Sequence, residues 1–184
     1  IHLYEQMQIE GIEPDHINFV SILKVCSCVA SLQQAKLVHT HITHRGLDSQ
    51  EFICNALIDM YGKCGDLEKA CDVLQKINDR NVLSWTALIS VCFHAGYAER
   101  ALLIFEQMLD ENIRPDGVTF LSILCGCSHA GLLAEGAYHF FSMNQDHRII
   151  PTLDHHVCMI DLIGRAGNLE NALEFIHEMP FIPD

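Results

Sequence analysis

One sixteen-residue pattern recurs along the chain: VSILKVCSCVASLQQA (20–35), NALIDMYGKCGDLEKA (55–70), TALISVCFHAGYAERA (86–101), LSILCGCSHAGLLAEG (121–136) and VCMIDLIGRAGNLENA (157–172). Each copy ends on a small residue (Ala35, Ala70, Ala101, Gly136, Ala172), at successive intervals of 35, 31, 35 and 36 residues. Five positions earlier stands Gly65, Gly96, Gly131 or Gly167, with Ala30 in the remaining copy. Near each start is an aliphatic pair: Ile22-Leu23, Leu57-Ile58, Leu88-Ile89, Ile123-Leu124 and Met159-Ile160. Seven residues beyond the small position comes Ile42, Ile77, Met108, Met143 or Met179, and Met7 fills that slot in a truncated first copy. Such a period predicts a solenoid, in which each unit buries its apolar face against the next.

Each unit reads as helix, tight turn, helix. The glycine is placed to take the left-handed conformation that ends the first helix. Asp66 and Asn168 then stand where a side chain caps the second helix, with Glu68 and Glu170 in its first turn. The small residue permits close helix–helix contact. Units close at Pro14-Asp15, Pro115-Asp116, Pro151-Thr152 and Pro183-Asp184, because proline ends a helix and disfavours helical backbone before it. The chain therefore divides into 1–15 (the tail of a unit), 16–50, 51–81, 82–116, 117–152 and 153–184.

With 49% apolar residues the chain has enough hydrophobic material for a packed core. No apolar run reaches the ~18 residues of a membrane span. The first residue is Ile inside a helical pattern, so the chain reads as part of something longer, with any targeting segment upstream. Nine cysteines sit in apolar helical patterns (Cys54, Cys64, Cys71, Cys92 and Cys158 among them), where free thiols behave as small hydrophobes in a reducing compartment. The net charge of −13 argues by itself against a nucleic-acid partner.

The repeated first helix carries a counter-argument. Its second, fifth, ninth and thirteenth residues share one face, since steps of three and four stack on a helix. They are Phe52, Asn55, Asp59 and Lys63 in one unit, Leu83, Thr86, Ser90 and His94 in the next, and Asp154, Val157, Asp161 and Arg165 in the last. The stripe has the polarity of a solvated face. Its recurrence in register, with Lys63, His94, His129 and Arg165 in one column, also suits a repeating phosphate backbone.

Tetratricopeptide arrays have a strict period and a Trp/Leu-Gly/Tyr signature, and neither is present here. Instead the unit lengths run 35, 31, 35, 36 and 32. EQMQIEGIEPD and EQMLDENIRPD look like ends of P-type units, FVSILKVCSCVASLQQAKLVHTHI like an L-type unit, and NALIDMYGKCGDLEKA like an S-type unit. VLSWTALISVCFHAG opens another P-type unit. GVTFLSILCGCSHAGLLAEGAYHFFSM and HVCMIDLIGRAGNLENALEFIHEMPFIPD look like final L and S units. Over its whole length the chain thus resembles the pentatricopeptide repeat family, in its plant-type PLS subclass, just before an E- or DYW-type extension.

That resemblance implies an all-α, right-handed superhelical solenoid of helix-turn-helix repeats that binds single-stranded RNA, one base per unit. The fifth and last residues of a unit read the Watson–Crick edge, and apolar second residues of neighbouring units sandwich the base. By this resemblance Asn55 with Asn81 favours C over U, and Thr86 with Asp116 favours G. Phe52 and Leu83 would hold the first base, Leu83 and Val118 the second, giving 5′-C/U-G-3′ on an RNA parallel to the chain. An amide or hydroxyl beside a carboxylate does offer a defined donor and acceptor set. Val20, Leu121 and Val157 at fifth positions form no hydrogen bond, so no base is assigned to their units or to Gln50, Thr152 and Asp184. Asp15 closes a unit whose fifth residue lies outside this sequence.

Two bases at about 1–3 kcal/mol each give roughly 2–6 kcal/mol, the middle of which corresponds to about millimolar affinity for this segment alone. A metal site is not expected. Cys26/Cys28 and Cys125/Cys127 point apart on a helix; His39, His41 and His44 are close in sequence, as are His155 and His156, and His41 and His44 could share a face, but exposed histidines on a second helix are the simpler expectation. The H-x-E and P-C-x-x-C signature of the family's deaminase domain is also missing from these residues. The resemblance therefore implies a cofactor-free, non-catalytic role: holding an organellar transcript, in mitochondrion or chloroplast, for C-to-U editing by a deaminase in cis or in trans. Other editing factors are possible partners; membrane and DNA are not expected. The alternative is a protein–protein scaffold of the same helix pairs, which the acidity favours.

Overall fold

The computed structural model describes residues 2–180, so the Pro183-Asp184 step lies outside the described residues. Every regular element among the described residues is an α-helix. In order these are α1 (His2–Ile9), α2 (His16–Cys28), α3 (Leu32–His44), α4 (Glu51–Lys63), α5 (Leu67–Lys76), α6 (Val82–His94), α7 (Ala98–Asp110), α8 (Gly117–Ala130), α9 (Leu133–Gln145), α10 (Leu153–Arg165) and α11 (Leu169–Glu178). The chain forms two compact units, Ile1–Val91 and Cys92–Asp184. In the first, α2 packs along α4 while α3 and α5 lie against their own hairpin partners. In the second, α8 packs along α10, with α9 and α11 flanking them.

The aliphatic pairs supply the core. Leu23, Leu57, Ile58, Leu88, Ile89, Ile123, Leu124 and Met159 are buried, while Ile22 and Ile160 are half-buried. All five small positions are buried as well. Gly136 shows why size matters there: a Cβ on it would lie 2.3 Å from Leu162 Cδ2 and 3.3 Å from Cys127 Cβ. The second helix thus lies close to its own partner and to the first helix of the next hairpin.

The turn glycines adopt the left-handed conformation, with φ of +81° at Gly65, +82° at Gly96, +71° at Gly131 and +78° at Gly167. Ala30 is held in the same region at φ +49° despite its Cβ. Substituting Ala30→Gly is therefore expected to stabilise the protein by about 1 kcal/mol, because the left-handed backbone costs an L-residue roughly that much. An unchanged or lower denaturant midpoint would contradict this.

Asp66 caps α5 as expected, accepting from the Lys69 amide at 3.2 Å. Asn168 occupies the same place before α11 with nearly the same backbone angles, but its side chain makes no capping bond. The glycine turn, shared by both, is sufficient to start the second helix.

The unequal periods have a local cause. Second helices α3, α7 and α9 run for 13 residues, whereas α5 and α11 have 10. The long ones are followed by a left-handed residue: Gly46, Asn112 and Arg148. The short ones run directly into extended backbone at Ile77 and Met179. The loss of nearly one helical turn accounts for the shorter units.

Two groups of histidines depart from the expectation of bland exposure. His39 and His41 are half-buried and bonded to tyrosines: His39 Nδ1 lies 2.7 Å from the Tyr61 hydroxyl, and His41 Nδ1 lies 2.6 Å from that of Tyr4. His155 and His156 are buried in the hairpin contacts. His155 Nδ1 accepts from the Thr152 amide at 3.1 Å, so its Nε2 donates to the Gly117 carbonyl at 2.8 Å and ties α10 to α8. His139 is buried with its ring perpendicular to Phe105, and burial lowers its pKa. All nine cysteines are free thiols, and Cys26, Cys54, Cys92 and Cys127 are buried.

Candidate nucleic-acid interface

The first helices present their second residues to solvent. In the first unit Ile17, Phe52 and Leu83 are exposed, and in the second Val118 is exposed. Ile17 is a stripe member that the sequence reading passed over, because its unit has no polar fifth residue to draw attention to it. Its neighbour His16 meets Phe52 edge-on, with ring centroids 5.2 Å apart.

The fifth residues lie deeper than an open polar stripe would place them. Asn55 is half-buried, and its Oδ1 is enclosed without a hydrogen-bond partner. Thr86 is only 6% exposed, whereas Leu83, one turn earlier on the same face, is 55% exposed. The expectation of exposed base readers is therefore corrected. The short polar side chains lie recessed, and the apolar second residues stand exposed. Val118 has the length of a threonine and is 60% exposed, so the depth of Thr86 comes from its surroundings and not from its size.

The last residues carry a duty that the sequence reading missed. Asn81 Oδ1 accepts from the Ser84 amide at 3.1 Å and stands immediately before α6. Asp116 is the N-cap of α8: its Oδ1 accepts from the Thr119 amide at 2.8 Å and from the Thr119 hydroxyl at 2.9 Å. Asp15 caps α2 in the same way, accepting from the Asn18 amide at 2.8 Å. The residue read as closing one unit thus opens the next. The Asp after Pro14 and after Pro115, just before an apolar helical run, was the available signal.

Lys63, His94, His129 and Arg165 are all exposed at the ends of their helices. The two permanent cations are not free charges. Lys63 Nζ pairs with Asp59 at 2.9 Å, and Arg165 Nε with Asp161 at 2.8 Å, each one helical turn back. Asp161 also accepts from the Ser128 hydroxyl; that bond, followed by the Arg165 guanidinium, holds its carboxyl below the ordinary range. The column is therefore less positive than a reading of its cations alone implies. His94 and His129 line a cleft of about 700 Å³ together with Tyr97, Arg100 and Leu132. Tyr97 and Arg100 belong to the turn and the second helix, outside any first-helix periodicity. Among the described residues no cluster of three His, Cys, Asp or Glu side chains is placed to hold a metal ion. No helix among them is long and apolar enough to cross a membrane.

Stacked helical hairpins with a small-residue contact and a left-handed turn define an α-solenoid repeat protein. The profile described as PPR repeat family matches residues 80–129, the PPR repeat matches 52–82 and 156–181, and the pentatricopeptide repeat domain matches 2–63. The chain belongs to the pentatricopeptide repeat family. It is 44% identical over 180 residues to the Arabidopsis thaliana pentatricopeptide repeat-containing protein At4g14820, covering 98% of this chain and 25% of that protein. It is also 44% identical over 166 residues to the chloroplastic protein CRR2 of the same plant, covering 90% of this chain and 25% of CRR2. The mitochondrial At3g02330 is 39% identical, with 99% and 20% covered. The chain spans roughly a fifth to a third of the curated relatives it matches. Among solved structures, maize PPR10 superposes with a TM-score of 0.79 at 21% identity, over 97% of this chain and 26% of PPR10. PPR10 in complex with an 18-nt psaJ RNA element gives 0.76 at 23% identity, over 95% and 26%. These likenesses establish the solenoid fold.

Proposed function

We propose that this chain is part of an RNA-reading solenoid that holds single-stranded RNA without performing chemistry on it. The exposed second residues Ile17, Phe52, Leu83 and Val118 carry the proposal. A chain selected only to pack would bury such side chains, whereas exposed apolar residues beside recessed polar ones suit nucleobases inserted edge-first. Asn55 with Asn81 reads C or U in this proposal, and Thr86 with Asp116 reads G. Lys63, His94, His129 and Arg165 face phosphates, the first and last by exchanging a paired carboxylate for the backbone. The structural relative bound to an RNA element supports the choice of ligand.

The resemblance of the units to P, L and S types supports the finer reading: a PLS-type array next to an E- or DYW-type extension, acting in C-to-U editing. The relatives named chloroplastic and mitochondrial support an organellar location. The −13 charge and the exposed Leu103, Tyr138 and Phe141 on second helices favour a protein-binding scaffold as the second reading.

Competition binding separates the two. The array in its longer native protein is expected to prefer RNA carrying C-G under units 51–81 and 82–116 over the same RNA with those bases swapped. The exchange Asn55→Thr with Thr86→Asn should move that preference. Residues 1–184 alone are expected to bind RNA weakly, at about millimolar, and sub-micromolar binding in a gel shift would contradict this. An absence of base preference in the longer protein would favour the scaffold.

A further inference from the structure

Two of the half-buried thiols lie on adjacent hairpins. Helices α8 and α10 pack side by side, and the Ser128 hydroxyl donates to Asp161 across their contact. Stepping back three residues on each helix, nearly one turn, leads from that bond to Cys125 and Cys158. Both pairs have the same separation of 33 residues. The two half-buried thiols therefore stand in matched register on the shared α8–α10 contact, one turn from the Ser128–Asp161 bond. Neither sulfur is sealed in the core as Cys26, Cys54, Cys92 and Cys127 are. His129 Nδ1 lies 3.9 Å from Cys125 Sγ, where it can receive a thiol proton.

We propose that Cys125 and Cys158 form a reversible dithiol–disulfide pair that ties α8 to α10. Two thiols in matched register on packed neighbouring helices are placed for a disulfide to close, which requires their Cα atoms to approach within about 7 Å. The oxidant is a small disulfide such as glutathione disulfide. The Cys125 thiolate attacks one of its sulfurs, the sulfur–sulfur bond breaks, and one glutathione leaves as thiolate and takes up a proton. Cys158 then loses its proton and attacks the Cys125 sulfur of the mixed disulfide, releasing the second glutathione. Two protein thiols are oxidised by two electrons, and one glutathione disulfide is reduced to two thiols. Cys158 takes the second step because burial, then Cys125 and the Asp161 and Asp154 carboxylates, push its thiol up to about 11. At neutral pH it attacks only a sulfur already held against it. The bond would form beside the His129 end of the candidate interface, and its chemistry is independent of whether that face meets RNA.

The test incubates the full chain in glutathione buffers of increasing disulfide fraction, then maps free thiols and cross-linked peptides by mass spectrometry. The expected product is a Cys125–Cys158 cross-linked peptide, with a melting temperature raised by about 5–15 °C and restored by reductant. Cys125→Ser and Cys158→Ser should each abolish the cross-link; Cys158→Ser should leave a glutathione adduct on Cys125, whereas Cys125→Ser should leave Cys158 a free thiol. Cys125→Ala and Cys158→Ala, compared by circular dichroism, separate loss of the bond from loss of folding. A cross-link through Cys127, one that persists in the variants, or none where glutathione disulfide predominates would overturn the proposal.

Discussion

Phe105→Ala is expected to destabilise residues 92–184 by about 3–5 kcal/mol, the cost of emptying a buried aromatic site that cannot fully collapse. Phe105 is 2% exposed and packs edge-on against Phe120, with centroids 5.6 Å apart, and against the buried ring of His139 at 5.3 Å. It therefore joins α7, α8 and α9 at one point. A repeat protein sums unit and nearest-neighbour terms, so the loss should be local. Hydrogen exchange should accelerate in α7 to α9 while α2 to α5 keep most of their protection. Uniform loss across the chain, or a cost below 1 kcal/mol, would show that Phe105 does not organise this core.

Asp116 separates the helix-capping role from base reading. Asp116→Ala should cost about 1 kcal/mol, because α8 loses the acceptor for its Thr119 amide. Asp116→Asn should be nearly neutral in stability, since asparagine caps about as well as aspartate. The two variants should nevertheless fail alike in RNA selectivity. A guanine presents donors on its Watson–Crick edge, and the amide replaces one acceptor atom with a donor. Discrimination for G under unit 82–116 should fall by about 1–3 kcal/mol, on the order of 10–100-fold. Melting and competition binding on the same samples give both values. If Asp116→Asn melts as low as Asp116→Ala, the capping argument fails; if it keeps its preference for G, the reading of that base fails.

Most of the backbone was legible in the repeat. Gly65, Gly96, Gly131 and Gly167 marked the turns because a left-handed position leaves few alternatives, and the aliphatic pairs marked the core because helical period and burial coincide. The difference in second-helix length was visible only as unequal spacing, since nothing local in QKINDR announces a missing turn. The site was less legible. Periodicity assigned Thr86 to a polar stripe but carried no information on depth, which depends on what packs around it, and Thr86 is buried. The pairing of Lys63 with Asp59 was available from their spacing of four, yet attention to the basic column obscured it. His155 resembled a solvent-exposed residue because its contact, the Gly117 carbonyl, lies 38 residues away.

Asp15, Asn81 and Asp116 each start the next hairpin, so a change there is felt first as weaker helix initiation, about 1 kcal/mol when the capping oxygen is lost. Gln50 stands in the same place before α4 without a capping bond, so the array favours such a side chain without requiring it. In the proposed reading, retargeting through the last residue of a unit therefore carries a stability penalty that retargeting through the fifth does not.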